Sequence, residues 1–207
     1  ILEQASRKKG RYLPGRRDGD KLQVWQLMNF KGGSSKSTTT IHLAHFLALQ
    51  GYKVLAVDLD PQGSLTSMCG ISPEIEFDGL TVYDAIRYDD PVPFADTIVE
   101  TYFPGLSLAP SRLLLSEFET ESAVNSSPDQ PFFTRIRSAL AQVEDQYDVV
   151  LMDSPPQLGF LTISGMAAAT SLIVPLTPSM LDVSSTAQFL ELAGAYMGVI
   201  EEAGAEL

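Results

Sequence analysis

The sequence predicts an α/β fold, a doubly wound and mostly parallel sheet with helices on both faces, expected to be incomplete toward its C-terminal end. Three observations carry that expectation. Two near-continuous apolar runs, residues 53–59 (KVLAVDL) and 147–153 (YDVVLMD), read as strands buried on both faces, as happens where helices cover a parallel sheet. Helical segments separate these runs, which is the alternation of successive β-α-β units. A glycine-rich turn, residues 29–40 (NFKGGSSKSTTT), joins an alternating strand-like run to the first helical stretch.

Taken in order, residues 1–21 are rich in Arg, Lys and Gly and contain Pro14, and they read as a basic linker or arm. Seven of the 14 Lys and Arg lie there against three acids, so this segment carries +4 and the remainder −16. It is expected either to touch DNA or to be solvated; charge runs are more often the latter. Residues 22–29 form the first strand and 36–50 the first helix. His42 and His45 lie one turn apart on that helix without an evident third metal ligand. The buried strand over 53–59 ends in Asp58-Leu59-Asp60-Pro61-Gln62-Gly63. Further on, 81–88 reads as a helix, 106–110 as a short strand, 111–120 as a short helix and 125–130 as a polar loop. Residues 132–143 form an amphipathic helix carrying Arg135 and Arg137, weak candidates for DNA contact. The second buried strand ends at Asp153, before a stiff loop, Ser154-Pro155-Pro156-Gln157-Leu158-Gly159. Residues 162–170 read as a helix of small residues, 171–176 as another buried strand and 180–202 as a long helix.

Composition narrows the function classes. A chain of 207 residues with 44% apolar content suits one globular domain, here residues 22–207. No apolar run is long enough to span a bilayer and no signal peptide is visible, so no membrane partner and a cytoplasmic location are expected. The single cysteine, Cys69, excludes an internal disulfide framework and a four-cysteine metal site. A net charge of −12 opposes whole-surface attraction to nucleic acid. The chain starts at Ile1, and is expected to be a piece of a longer one.

The chemistry concentrates at the turn. A strand, a glycine turn and a helix start gather backbone N–H groups with no partner inside the helix, and the helix dipole adds partial positive charge. Such a turn cradles phosphates. Lys36 would reach the terminal phosphates and the Ser37 hydroxyl would sit on magnesium. Asp58 and Asp60 end one buried strand, where open α/β sheets bind ligands, and Asp153 ends another, placed to hold a magnesium ion's water shell.

The spacing departs from G-x-x-x-x-G-K-[ST], because Ser35 and Phe30 stand where that pattern has glycines and a second lysine, Lys31, precedes Gly32 and Gly33. KGGSSKST resembles the deviant Walker A loop of the ParA/MinD superfamily of dimerising ATPases. DLDPQG resembles the first switch of ParA-type proteins, and YDVVLMDSPPQLG their Walker B strand and following loop. Together these motifs span most of residues 22–160, and the wording around them is most similar to the RepA proteins of repABC plasmids. The resemblance implies a P-loop domain, truncated here, that binds ATP or ADP with Mg2+ and hydrolyses ATP. It implies Lys31, Lys36 and Asp60 as catalytic, with Lys31 reaching across a homodimer and Asp60 positioning the attacking water. Lys31, Gly32, Gly33, Ser34, Ser35, Lys36, Ser37, Thr38, Asp58 and Pro155 would bind nucleotide, and Ser37, Asp58 and Asp153 the metal. It further implies nonspecific DNA binding in the ATP state, a centromere-binding ParB/RepB-type partner, nucleoid association and autorepression. Most of the superfamily has glycine where this chain has Ser35; if that position needs positive φ, serine carries a steric cost.

Three alternatives share the loop. A MinD-like membrane-recruited ATPase needs a C-terminal amphipathic helix. A metabolic enzyme, either an iron-protein reductase or a biotin-pathway synthetase, needs paired cysteines or a substrate site. A nucleotide-binding regulator without turnover finds its best support in Ser35.

Overall fold

The computed structural model describes residues 16, 19–29, 33, 35–72, 75, 77–127, 129–176 and 180–202, the stretch 180–185 by its backbone alone. The strands are β1 (Gln23–Leu27), β2 (Val54–Asp58), β3 (Val99–Glu100), β4 (Leu106–Ala109), β5 (Val149–Asp153) and β6 (Ser171–Ile173). The helices are α1 (Lys36–Leu49), α2 (Ser64–Met68), α3 (Val82–Ile86), α4 (Glu117–Asn125), α5 (Arg135–Ala141), α6 (Phe160–Ala168) and α7 (Met180–Glu202), with 3-10 turns at Phe94–Thr97, Leu113–Ser116 and Phe132–Thr134. One sheet runs β3-β4-β2-β5-β1-β6, parallel throughout except for β3 against β4. The expected mostly parallel, two-faced architecture is what forms.

The period-two alternation of the strands builds a core on each face. Val24, Leu55, Val57, Val150 and Met152 face one way and pack with Ile86 of α3, Phe118 of α4, Leu140 of α5 and Leu161 of α6. Leu27, Val54, Ala56, Val149 and Leu151 face the other way, against Ile41, Ala44 and Leu47 of α1 and Leu65 of α2. Each of the larger side chains contributes about 1.5–3 kcal/mol by leaving water, which fixes the strand register and hence the alignment of the strand ends.

The expectation of a buried strand over 171–176 is corrected. β6 spans three residues and Leu172 is 42% exposed. Among the described residues its strand partner is β1 alone, so its apolar side chains lie at an edge. Arg135 is engaged within the fold. Its guanidinium lies 3.7 Å from the Tyr88 ring centroid and donates to the Ile86 and Arg87 carbonyls at 3.1 and 2.8 Å, fastening α5 to the end of α3. His45 stacks on Phe103, ring centroids 4.2 Å apart, and among the described residues no group of three or more His, Cys, Asp or Glu could hold a metal. The basic arm ends packed on the body. The Arg16 N–H donates to Asp148 Oδ1 at 2.9 Å and its side chain reaches Asp145 at 3.7 Å. Arg7, Lys8, Lys9, Arg11 and Arg17 lie outside the described residues. The described helices contain no span long and apolar enough to cross a membrane.

Candidate nucleotide and metal site

Three strand ends meet at one edge of the sheet. In register, Leu27 of β1 lies beside Asp153 of β5, which lies beside Asp58 of β2. This is the carboxyl edge, where open α/β sheets bind ligands. The turn from β1 to α1 passes through Gly33 at φ +73° and Ser35 at φ +62°. Ser35 thus holds the left-handed conformation that glycine adopts freely, at a cost of about 1 kcal/mol for a residue with a Cβ. Its carbonyl accepts the Thr39 N–H at 2.8 Å and starts the helix. Lys31, Gly32 and Ser34 lie outside the described residues.

Lys36, the first residue of α1, is 7% exposed. Burial pulls its ammonium pKa down, while Asp153 and Asp60 oppose that shift. A cation held at the start of a helix is placed to meet a phosphate. Ser37 lies near enough to Asp153 to draw its carboxyl pKa down. Thr38 is exposed.

The acids are buried unequally. Asp58 and Asp153 have no exposed surface, and Asp60 is half-buried. Burial, reinforced by the charge of Asp153, pushes Asp58 up to about 7; hydrogen bonds from Thr66 and the Asp60 N–H oppose it. Burial pushes Asp153 up to about 6, against the pull of Ser37, Lys36 and Thr40. Asp60 accepts the Gln62 N–H at 3.0 Å, which shapes the turn after β2. Pro155 is buried directly behind Asp153.

Asp153 Oδ2 is enclosed without any hydrogen-bond partner, while Oδ1 accepts the Thr40 hydroxyl at 3.3 Å. A buried acceptor left unanswered costs about 1–3 kcal/mol. A hard cation with oxygen ligands would answer it. The Ser37 hydroxyl and the Asp58 and Asp153 carboxylates therefore fit a magnesium ion, and Lys36 fits the phosphates beside it.

Three contacts here escaped the sequence reading. Thr40, one turn after Lys36, points from the same helical face to Asp153; that spacing was a usable signal. Thr66 holds Asp58 across a turn. Gln26, fully buried in β1, donates to Ser154 Oγ at 2.6 Å and to the Thr162 carbonyl at 3.0 Å, tying the loop after Asp153 to α6. A Cβ at Gly165 would stand 2.6 Å from that amide nitrogen, so a larger residue there would displace the Gln26 side chain from these bonds.

The family model described as AAA domain matches residues 22–197. A protein provisionally named replication protein A from Sinorhizobium fredii is 47% identical over 211 residues, covering 99% of this chain and 52% of that protein. The chromosome partitioning protein ParA of Caulobacter vibrioides is 37% identical over 157 residues, covering 75% of this chain and 56% of that one. The crystal structure of cobyrinic acid a,c-diamide synthase from Mycobacterium smegmatis, with bound ADP and magnesium, superposes with a TM-score of 0.77 at 32% identity over 86% of this chain and 69% of that one. The chain spans about half the length of the curated relatives it matches.

Proposed function

We infer that this chain, which belongs to the ParA-type AAA domain family, is the nucleotide-driven switch of a plasmid-partition system. It binds ATP or ADP with magnesium at the carboxyl edge of the sheet and hydrolyses ATP slowly. The observation that carries this reading is the buried meeting of Lys36, Asp58 and Asp153, with one Asp153 oxygen left unanswered. Lys36 contacts the terminal phosphates, with Gly32, Gly33, Ser34, Ser35, Thr38 and Pro155 around them. Ser37, Asp58 and Asp153 hold the magnesium, which neutralises phosphate charge when bound. Asp60 orients the attacking water. Lys31 reaches across a homodimer, because a second cation stabilises charge that spreads over phosphoryl oxygens in the transition state.

In the whole protein, ATP closes that dimer onto DNA without sequence preference. A centromere-binding partner of the ParB/RepB type then stimulates hydrolysis and releases it. Repression of its own operon and a cytoplasmic, nucleoid-associated location belong to the same reading. The 47% identity to a replication protein A over nearly the whole chain supports it. The likeness to a diamide synthase favours a second, metabolic reading that shares the nucleotide site.

Light scattering on the full-length protein with Mg-ATP and with Mg-ADP separates the two. A dimer favoured by ATP and weakened in Lys31→Ala is the expected result. A mass indifferent to bound nucleotide would overturn the switch and move the metabolic reading forward.

A further inference from the structure

The two oxygens of Asp58 are held differently. Oδ2 accepts both the Thr66 N–H, at 2.8 Å, and the Thr66 hydroxyl, at 2.7 Å. Oδ1 accepts the Asp60 N–H at 3.1 Å. The Thr66 hydroxyl in turn accepts the Ser111 N–H, at 3.0 Å. A hydroxyl carries one proton. With Ser111 donating to the oxygen, that proton is committed to Asp58. Asp58, Thr66 and Ser111 are all fully buried, so water does not compete for these bonds. The chain of contacts pins three segments at one point: the end of β2, the helix α2 and the backbone just past β4.

We propose that Thr66 is the positioning residue of the magnesium site, saturating Asp58 Oδ2 so that Oδ1 is the oxygen turned to the metal's shell. This rests on the reading of the site as a Mg-ATP site. A carboxylate in a metal's outer shell must be presented in one orientation. A backbone donor holds each Asp58 oxygen, and the Thr66 hydroxyl, braced by the Ser111 N–H, adds the one side-chain bond that commits Oδ2 fully to the chain. Partners that orient metal-binding groups in this way govern metal affinity by about 10–100-fold.

The test compares Thr66→Val, which keeps the shape and deletes the hydroxyl, with Thr66→Ser, which keeps the hydroxyl and deletes the methyl. A fluorescent ATP analogue is titrated into the full-length protein across a range of Mg2+ concentrations and in EDTA, and melting is recorded without metal. Thr66→Val is expected to raise the half-saturating Mg2+ concentration at least about tenfold while leaving affinity in EDTA unchanged. Thr66→Ser is expected to restore the wild-type Mg2+ response. Thr66→Ala, with room for a water, stands in for valine if that variant does not fold. An unchanged Mg2+ midpoint in the hydroxyl-free variants overturns the proposal. So does a loss of affinity equal with and without Mg2+, or a serine variant as impaired as valine, because each marks a role in packing alone. A wild-type protein whose binding ignores Mg2+ overturns the functional reading itself.

Discussion

Asp148 and Asp153 bracket β5, and their surroundings differ at every point that matters. Asp148, at the amino edge of the sheet, is half-buried. Each of its oxygens is answered by a backbone donor, Oδ1 by the Arg16 N–H at 2.9 Å and Oδ2 by the Lys53 N–H at 2.7 Å. It ties the end of the basic arm and the start of β2 to β5. Asp153, at the carboxyl edge, is fully buried with Oδ2 unanswered and Lys36 close by. An acid whose oxygens are both spent on the chain holds the chain together. One buried with an oxygen in reserve is suited to something the chain does not supply.

The sharpest way to break the carboxyl edge alone is Lys36→Ala. Hydrolysis by the full-length protein is expected to fall by about 100-fold or more, the loss typical for a group that stabilises transition-state charge. The melting temperature without ligand should change far less, because removing the buried ammonium also removes the cation beside Asp153 and the two effects oppose each other. A single-turnover assay paired with a thermal melt reads both effects.

Asp148→Ala should do the reverse. It removes two hydrogen bonds to backbone donors, about 0.5–1.5 kcal/mol each, and each kcal/mol lowers the melting temperature of a chain this size by about 2–4 °C. Nucleotide affinity measured below the transition should match wild type.

The carboxyl edge also carries a pH dependence. Asp58 and Asp153 titrate near 7 and 6 in the fold against an ordinary value of 3.8. The folded state therefore holds their protons more tightly than the unfolded state does. Their contribution to stability is greatest below about pH 4, declines as pH rises toward 7, and is then level. Denaturant melts from pH 5 to 8 should show this decline in the ligand-free protein. Mg-nucleotide should remove it, because a bound cation favours the ionised carboxylates.

The parts of this comparison that were legible in the sequence are those set by local pattern. The apolar runs ending at Asp58 and Asp153 identify buried strands and place both acids at strand ends. The turn before Lys36 identifies the phosphate loop by its glycines and its position between strand and helix. Ser35 at φ +62° bears out the reading that this position needs positive φ. What was not legible depends on which segments meet. Ser111 lies 45 residues from Thr66 and Tyr88 is 47 residues from Arg135, and no local periodicity reports such pairings. The run at 171–176 is apolar enough for a central strand, but place in the strand order is a property of the sheet. Asp153 is marked in the sequence by its place at the carboxyl end of the apolar run, but the two backbone donors that Asp148 gathers from 132 and 95 residues away are not.

The central claim is that the oxygen left unanswered on Asp153 is kept for magnesium. Calorimetric titration of ATP into the full-length protein, with Mg2+ and with EDTA, tests it when wild type, Asp153→Asn and Asp148→Asn are run together. Wild type and Asp148→Asn should bind at least about tenfold more tightly with Mg2+, and Asp153→Asn should lose that gain. Equal binding by wild type in EDTA, or a full Mg2+ gain retained by Asp153→Asn, would contradict the account.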